Sequence, residues 1–447
     1  MDLGESGTRR FFMQITIDEK ARKKAITAAG IGNFVEWFDF VLYAQFAAII
    51  AIHFFPSENP TSGLLATFAV FALGFFARPI GGIIFGHYGD KYGRKKALSA
   101  AVLLMSISTL AIGLTPDYNS IGLAAPILLV VWRVCQGLSA GGEYAGSSSF
   151  VIEFAPKGKK ALYGSINPIA TALGIIGGAL VGLLMTQLMN PEIINSWGWR
   201  IPFMIAAPLG IIGLYLRNKV EETPEFQLIQ NQVKEVKHAP LVEAFQSSKM
   251  NMLTLFGWAS LNGLGFYMLT GYMITFMTNA AQMARPQALS VYIIALILFS
   301  FSCYFAGKII DKVGVKLVAT ISAIVMTLII VPAFNLLSAG DMTNAIIGLS
   351  LFGIVMGFIC TVTPLLMVIL FPAHIRYSAS ALAYNLAYGL LGGTAPYLAT
   401  YLISETGNNL SPAYYVAIVT VIGLTITLIG FKSNTRLNHI SADLVKS

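Results

Sequence analysis

Apolar residues along this chain come in long unbroken runs, neither alternating as in half-buried strands nor confined to one stripe as in surface helices. Twelve runs cover residues 25–53, 62–86, 97–115, 121–150, 161–188, 200–217, 251–279, 288–309, 316–337, 344–371, 377–404 and 411–431. Each is long enough to carry a helix across a ~30 Å hydrocarbon core. Lipid offers the backbone no hydrogen-bond partner, so a spanning segment must satisfy itself as a helix or within a closed barrel. A barrel needs ~10-residue segments of alternating polarity, and the sequence has none. The pattern predicts an all-α integral membrane protein of twelve transmembrane helices, multi-pass in a bacterial inner membrane and in contact with the lipid bilayer.

Composition agrees. Apolar residues make up 56% of 447 and charged residues 11%, against about 25% charged in ordinary soluble domains; the mean hydropathy is +0.71. A net charge of +8 raises nucleic acid as a partner, and the placement of the charges answers it. Twenty-five of the 29 Lys and Arg fall before the first run, in the segments after even-numbered runs or at the run ends that border them, or in the tail. Outer loops keep only Arg200 and Arg285, and Arg78 and Arg133 lie inside runs. Such asymmetry puts the basic loops and both termini in the cytoplasm. The basicity is topology, and no nucleic-acid partner is expected. Cys135, Cys303 and Cys360 all lie inside runs without ligand-like spacing, so neither a disulfide framework nor a metal site is expected. The first 24 residues lack the apolar core of a cleavable secretion signal.

Two loops repeat. Gly86, Asp90, Lys91, Gly93 and Lys95 recur as Gly307, Asp311, Lys312, Gly314 and Lys316, at one fixed offset close to half the chain. Each copy occupies the same place in its own half. The repeat divides the chain into a cytoplasmic segment 1–24, a six-helix bundle 25–217, a cytoplasmic linker 218–250, a second six-helix bundle 251–431 and a cytoplasmic tail 432–447. Glycines let two helices turn tightly, and Asp90 and Asp311 can accept bonds from helix N-termini or basic neighbours. Gly86, Asp90, Gly93, Arg94, Asp311 and Gly314 are the expected parts of a latch that breaks when the cytoplasmic side opens.

This constellation resembles the signature loop of the major facilitator superfamily, Gly-x-x-x-Asp-Arg/Lys-x-Gly-Arg-Arg/Lys, although the second copy lacks the Arg. Further stretches narrow the resemblance: Gly32 to Phe40, Arg78 to Gly82, Gly137 to Tyr144, Trp197 to Phe203 and Glu221 to Phe226 look like the metabolite:proton symporter family. That family includes carriers for proline and glycine betaine, citrate, α-ketoglutarate and shikimate. The resemblance implies proton-coupled symport of a small zwitterion, proline or glycine betaine, by alternating access. A proton symporter of a small organic acid is the second reading, and a transporter-like sensor the third. No cofactor is expected. Each chain contains both bundles, so a monomer is expected.

An ionisable group near the bilayer centre costs a few kcal/mol at least, and so marks a functional site by default. Glu36 and Asp39 share one face of the first helix at i, i+3, roughly 16 to 21 Å from its start at about 1.5 Å per residue. Arg78, Arg133 and Glu143 complete the set. Three acids against two arginines leave one carboxylate that holds a proton more readily, the minimum requirement for proton coupling. Glu36, Asp39 and Glu143 are therefore the candidate coupling residues. Arg78 and Arg133 serve as their charge partners or as the seat of a substrate carboxylate, which a guanidinium fork fits. Fixed ion pairs that lock helices together are the competing reading.

The second half offers Asn262, Tyr267, Tyr272, Tyr384, Asn385 and Tyr388 instead. With Asn33, Trp37 and Tyr144 they are candidate substrate contacts; aromatic faces can hold a quaternary ammonium by cation-π attraction, and core packing is their commoner fate. Gly389, Gly392 and Pro396 predict a bend in the eleventh helix. Enzyme motifs fail. Gly137-Leu-Ser139-Ala-Gly141 has a hydrolase spacing but continues a membrane helix. The sequence has no zinc-protease, phosphate-loop or dinucleotide motif.

Overall fold

The computed structural model describes residues 19–58, 60–219, 245–372 and 374–433. The expected linker, apart from its two ends, lies outside the described residues. So do Glu221 to Phe226, most of the N-terminal segment and the tail beyond 433. Among the described residues the chain is helical throughout, with no strand. Helix occupies all twelve expected segments: α1 Glu19–Gln45, α2 Pro60–Tyr92, α3 Arg94–Leu114, α4 Ala124–Glu153, α5 Ile166–Leu188, α6 Arg200–Asn218, α7 Lys249–Tyr267, α8 Arg285–Val313, α9 Val315–Ser338, α10 Met342–Ile369, α11 Arg376–Ala387 and α12 Ser411–Ser433.

Among the described residues ten helices are long and apolar enough to cross a membrane. The sixth segment passes that test together with the preceding Pro191–Gly198, from which Arg200–Leu216 bends by 55°. The eleventh runs as α11, a π-helical segment Tyr388–Gly392, and a second helix Ala395–Thr406. The expected bend at Gly389 to Pro396 lies there. π-Helical turns also follow α7, at Met268–Tyr272 and Phe276–Ala280. Such bulges concentrate at functional sites, because they turn side chains out of helical register.

The first six helices pack among themselves, with α2 against α4, α1 against α5 and α3 against α4 and α6. The last six repeat the scheme, with α8 against α10 and α7 against α12. Between the halves, α11 packs on α2 and α4, and α8 packs on α5 and the short helix Lys160–Gly164 that precedes it. In lipid, close helix approach rests on small residues. A Cβ at Gly141 would collide with the Arg78 carbonyl and the Gly82 amide of α2. Between α3 and α4 Asp117 caps Tyr118–Ile121 through the Ser120 amide at 3.0 Å, and the Ser120 hydroxyl and amide hold its carboxylate below the usual range.

Gly141→Val should force α2 and α4 apart and lower the yield of monodisperse protein in detergent. Gly213→Ala meets only Val102 Cγ1, at 3.6 Å, and should leave that yield unchanged.

Candidate functional site

The repeated loops lock the two halves together at the end that carries the basic segments. Gly93 and Gly314 take the same left-handed turn, with φ of 108° and 89°, a conformation that a side chain strains. The turn sets Asp90 against the start of α11, where its carboxylate accepts from the amides of Tyr377 (3.3 Å) and Ser378 (2.9 Å) and from the Ser378 hydroxyl (2.7 Å). Asp311 does the same in the opposite direction, accepting from the amides of Ala161 (2.8 Å) and Leu162 (2.9 Å) at the start of Lys160–Gly164. Each aspartate caps a helix of the opposite half, where the positive helix end and orphan amides favour an anion. Gly86 completes the contact, since a Cβ there would meet the Ser378 Cα at 2.9 Å.

The two caps also differ in the residue that follows each glycine turn. Arg94 is fully buried and pairs with Glu153, which also receives Arg376 Nη1 of the second half at 2.7 Å. Val315 stands where the second copy would place an arginine, and lines a cavity of about 290 Å³ with Lys160, Asp311 and Arg376. Glu153 and Arg376 escape the sequence reading because they sit at span ends and read as loop charges.

Deeper in the interface, the candidate substrate residues of both halves converge on Arg78. Its Nη1 donates to the Tyr267 hydroxyl at 2.9 Å and its Nε to Asn385 Oδ1 at 3.3 Å. Nη2 is buried without a protein acceptor. Tyr267 stands edge-on to Phe75 at 4.8 Å and to Tyr388 at 5.8 Å, with Trp37 at 6.0 Å. Tyr388 packs on Tyr384 at 3.9 Å, and Tyr384 stacks on Tyr144 at 4.9 Å and 8°. The Trp37 Nε1 is also buried with no acceptor. Asn385 is braced by bonds from its Nδ2 to the carbonyls of Gly141 and Ala381, at 2.6 and 2.8 Å.

Not every candidate joins this cluster. Asn33 ties α1 to α5, its Nδ2 donating to Asn167 O at 2.6 Å and Thr171 Oγ1 at 3.0 Å. Asn262 bonds to Thr363 and accepts from Cys360 Sγ at 3.1 Å, within the second half.

The three acids lie buried in the first half. Glu36 and Glu143 face one void that has no room for a water, together with Val35, Val102, Met105 and Ser139. Asp39 Oδ2 accepts from Thr109 Oγ1 at 3.1 Å, while Oδ1 has no hydrogen-bond partner. Arg133 meets Asp39 only through intermediaries. Its guanidinium lies over Tyr43 at 4.2 Å, Phe71 at 5.0 Å and Phe40 at 5.1 Å, and its Nη1 donates to Gln136 Oε1 at 2.6 Å. Gln136, one turn from Arg133, was legible as a polar residue on the charged face of α4.

Comparison with known proteins decides the family. A proline/betaine transporter of Escherichia coli is 37% identical over 416 residues, 91% of this chain and 83% of its own. This chain belongs to the proline/betaine transporter family of the major facilitator superfamily. A glycine betaine/proline/ectoine/pipecolic acid transporter of Dickeya dadantii, OusA, matches at the same identity and coverage. The model of the "Sugar (and other) transporter" family matches residues 24–241. A double-tryptophan mutant of the xylose transporter XylE shares the fold, with a TM-score of 0.75 at 18% identity, over 95% of this chain and 99% of that one. The chain is thus a membrane transporter of small molecules, multi-pass in the bacterial inner membrane.

Glu153→Gln removes the carboxylate shared by Arg94 and Arg376 and should loosen the latch. We expect amide exchange at Tyr377 and Ser378 to accelerate by about tenfold, the worth of one charge-assisted bond; unchanged protection would show that the cluster does not hold the halves closed.

Proposed function

We propose that the protein takes up a small zwitterionic osmolyte or amino acid, proline or glycine betaine, in symport with protons by alternating access. The observation that carries this reading is Arg78. A guanidinium with one buried nitrogen lacking an acceptor, set among aromatic rings from both halves, suits a ligand with a carboxylate at one end and a cationic nitrogen at the other. The names of the relatives point the same way. The proton goes with Glu36, Asp39 and Glu143, and the substrate with Arg78, Trp37, Tyr144, Tyr267, Tyr384, Asn385 and Tyr388.

Bundles 25–217 and 251–431 rock about this cluster, with the basic loops and both termini on the cytoplasmic side and one chain as the working unit. The capping by Asp90 and Asp311 supports closure towards the cytoplasm in this conformation. Opening inward requires both caps to break.

Two sets of variants test the reading. Arg78→Gln should weaken betaine or proline binding at least tenfold, the worth of about 1.4 kcal/mol; wild-type affinity would remove Arg78 from the site. Glu36→Gln and Asp39→Asn, made singly, should lower proton-driven uptake more than substrate exchange. Full proton-driven uptake in both variants would remove the first-helix carboxylates from coupling.

A further inference from the structure

Two residues stand between Asp39 and Arg133, and their hydrogen bonds run one way. Arg133 Nη1 donates to Gln136 Oε1 at 2.6 Å, Gln136 Nε2 to Thr109 Oγ1 at 2.7 Å, and Thr109 Oγ1 to Asp39 Oδ2 at 3.1 Å. All four side chains are 1% exposed or less. A guanidinium only donates, and an amide cannot exchange its two ends without turning over. The direction of the chain is therefore fixed from the Arg133 end, and every donor points towards the carboxylate. The one freedom lies at Thr109. Its hydroxyl has a single proton and two acceptors in reach, Asp39 Oδ2 at 3.1 Å and the Met105 carbonyl at 3.0 Å.

We infer that Thr109 is a two-position switch that answers the charge state of Asp39 while Gln136 keeps it tied to Arg133 in both positions. The inference rests on Asp39 being a coupling carboxylate. With Asp39 ionised, Thr109 donates to it. When Asp39 takes a proton, the new O–H bond forms on its carboxyl group and donates to Thr109 Oγ1. The threonine hydroxyl then turns its own proton to the Met105 carbonyl. No proton leaves Thr109; only its acceptor changes. Oγ1 now accepts from Gln136 and Asp39 and donates once, which fills its capacity. In both states the Thr109 hydroxyl donates one bond and accepts at least one, so it passes between them without losing its own partners. Gln136 holds Arg133 in both, with Arg133 Nε and Nη2 lacking protein acceptors.

The titratable and charged residues on the elements packed about Asp39 are few. Its own helix carries Glu36 and Tyr43 nearby, α3 carries Arg94, Lys95 and Lys96 at its start, and α4 carries Arg133 and, further along, Glu143 and Tyr144. The α5 helix has no titratable residue, and α6 carries Arg200, Tyr215 and Arg217 near its ends. The Thr109 hydroxyl is the donor to the carboxylate among them.

The test uses the full chain in proteoliposomes, with labelled glycine betaine or proline and uptake measured across pH. Thr109→Val removes the donor to the charged form, so Asp39 keeps its proton to higher pH. The pH of half-maximal uptake should rise by about one unit, the size of one bond to a charged carboxylate, with substrate exchange retained. Thr109→Ser should restore the wild-type profile. Gln136→Glu, which keeps the Arg133 contact and loses the donor to Thr109, should move the profile the same way and serves if the valine variant does not fold. A wild-type pH profile in either variant, with exchange intact, overturns the switch. Asp39→Asn separates the two claims. If it keeps proton-driven uptake, the coupling role and the switch both fall; if it loses uptake while Thr109→Val behaves as wild type, only the switch does.

Discussion

Asp90 and Asp311 each leave their own half of the molecule to cap a helix of the other, and the rest of the structure is arranged around that pair of contacts. A carboxylate at a helix N-terminus satisfies amides that lipid cannot and water would otherwise have to. In the proposed alternating access, hydration would take the place of these contacts when the halves part, so a cap of this kind favours one conformation without preventing the other. The glycine turns that aim each aspartate repeat because the two halves repeat.

The same constraint explains the asymmetry between the halves. Among the described residues, charge deep in the bundle lies on α1, α2 and α4, where Arg78, Asp39 and Arg133 meet hydroxyls, an amide, tyrosines or aromatic faces. The second half contributes tyrosines and asparagines in their place, and these reach across to Arg78. A charge that is held by polar but uncharged neighbours is poised. Its desolvation is partly offset, and a substrate carboxylate or a proton still gains by arriving. Breaks in regular helix fall beside the cluster: π-helical turns begin at Met268, next to Tyr267, and at Tyr388 itself.

Much of this was legible in the sequence. The hydrophobic runs place helix at all twelve segments, and the repeat of Asp90 as Asp311 marks the two aspartates that cap helices of the opposite half. Intramembrane charge singles out Glu36, Asp39, Arg78, Arg133 and Glu143, all of which are buried. The partners were not legible, because pairing across a bundle depends on helix rotation. Arg133 was expected beside a carboxylate and instead sits among Tyr43, Phe71 and Phe40, with Gln136 and Thr109 between it and Asp39. Thr109 is an ordinary hydroxyl in an apolar run, and Glu153 stands past the expected end of its span. The roles of Asn33 and Asn262 also depend on rotation, which turns one towards α5 and the other into the second half.

Uptake by purified protein in proteoliposomes, under an imposed pH gradient acidic outside, tests the account most directly. It predicts accumulation of glycine betaine or proline above the external concentration, collapsing when the gradient is dissipated. Accumulation of citrate, α-ketoglutarate or shikimate instead, or zwitterion uptake indifferent to the gradient, would contradict it.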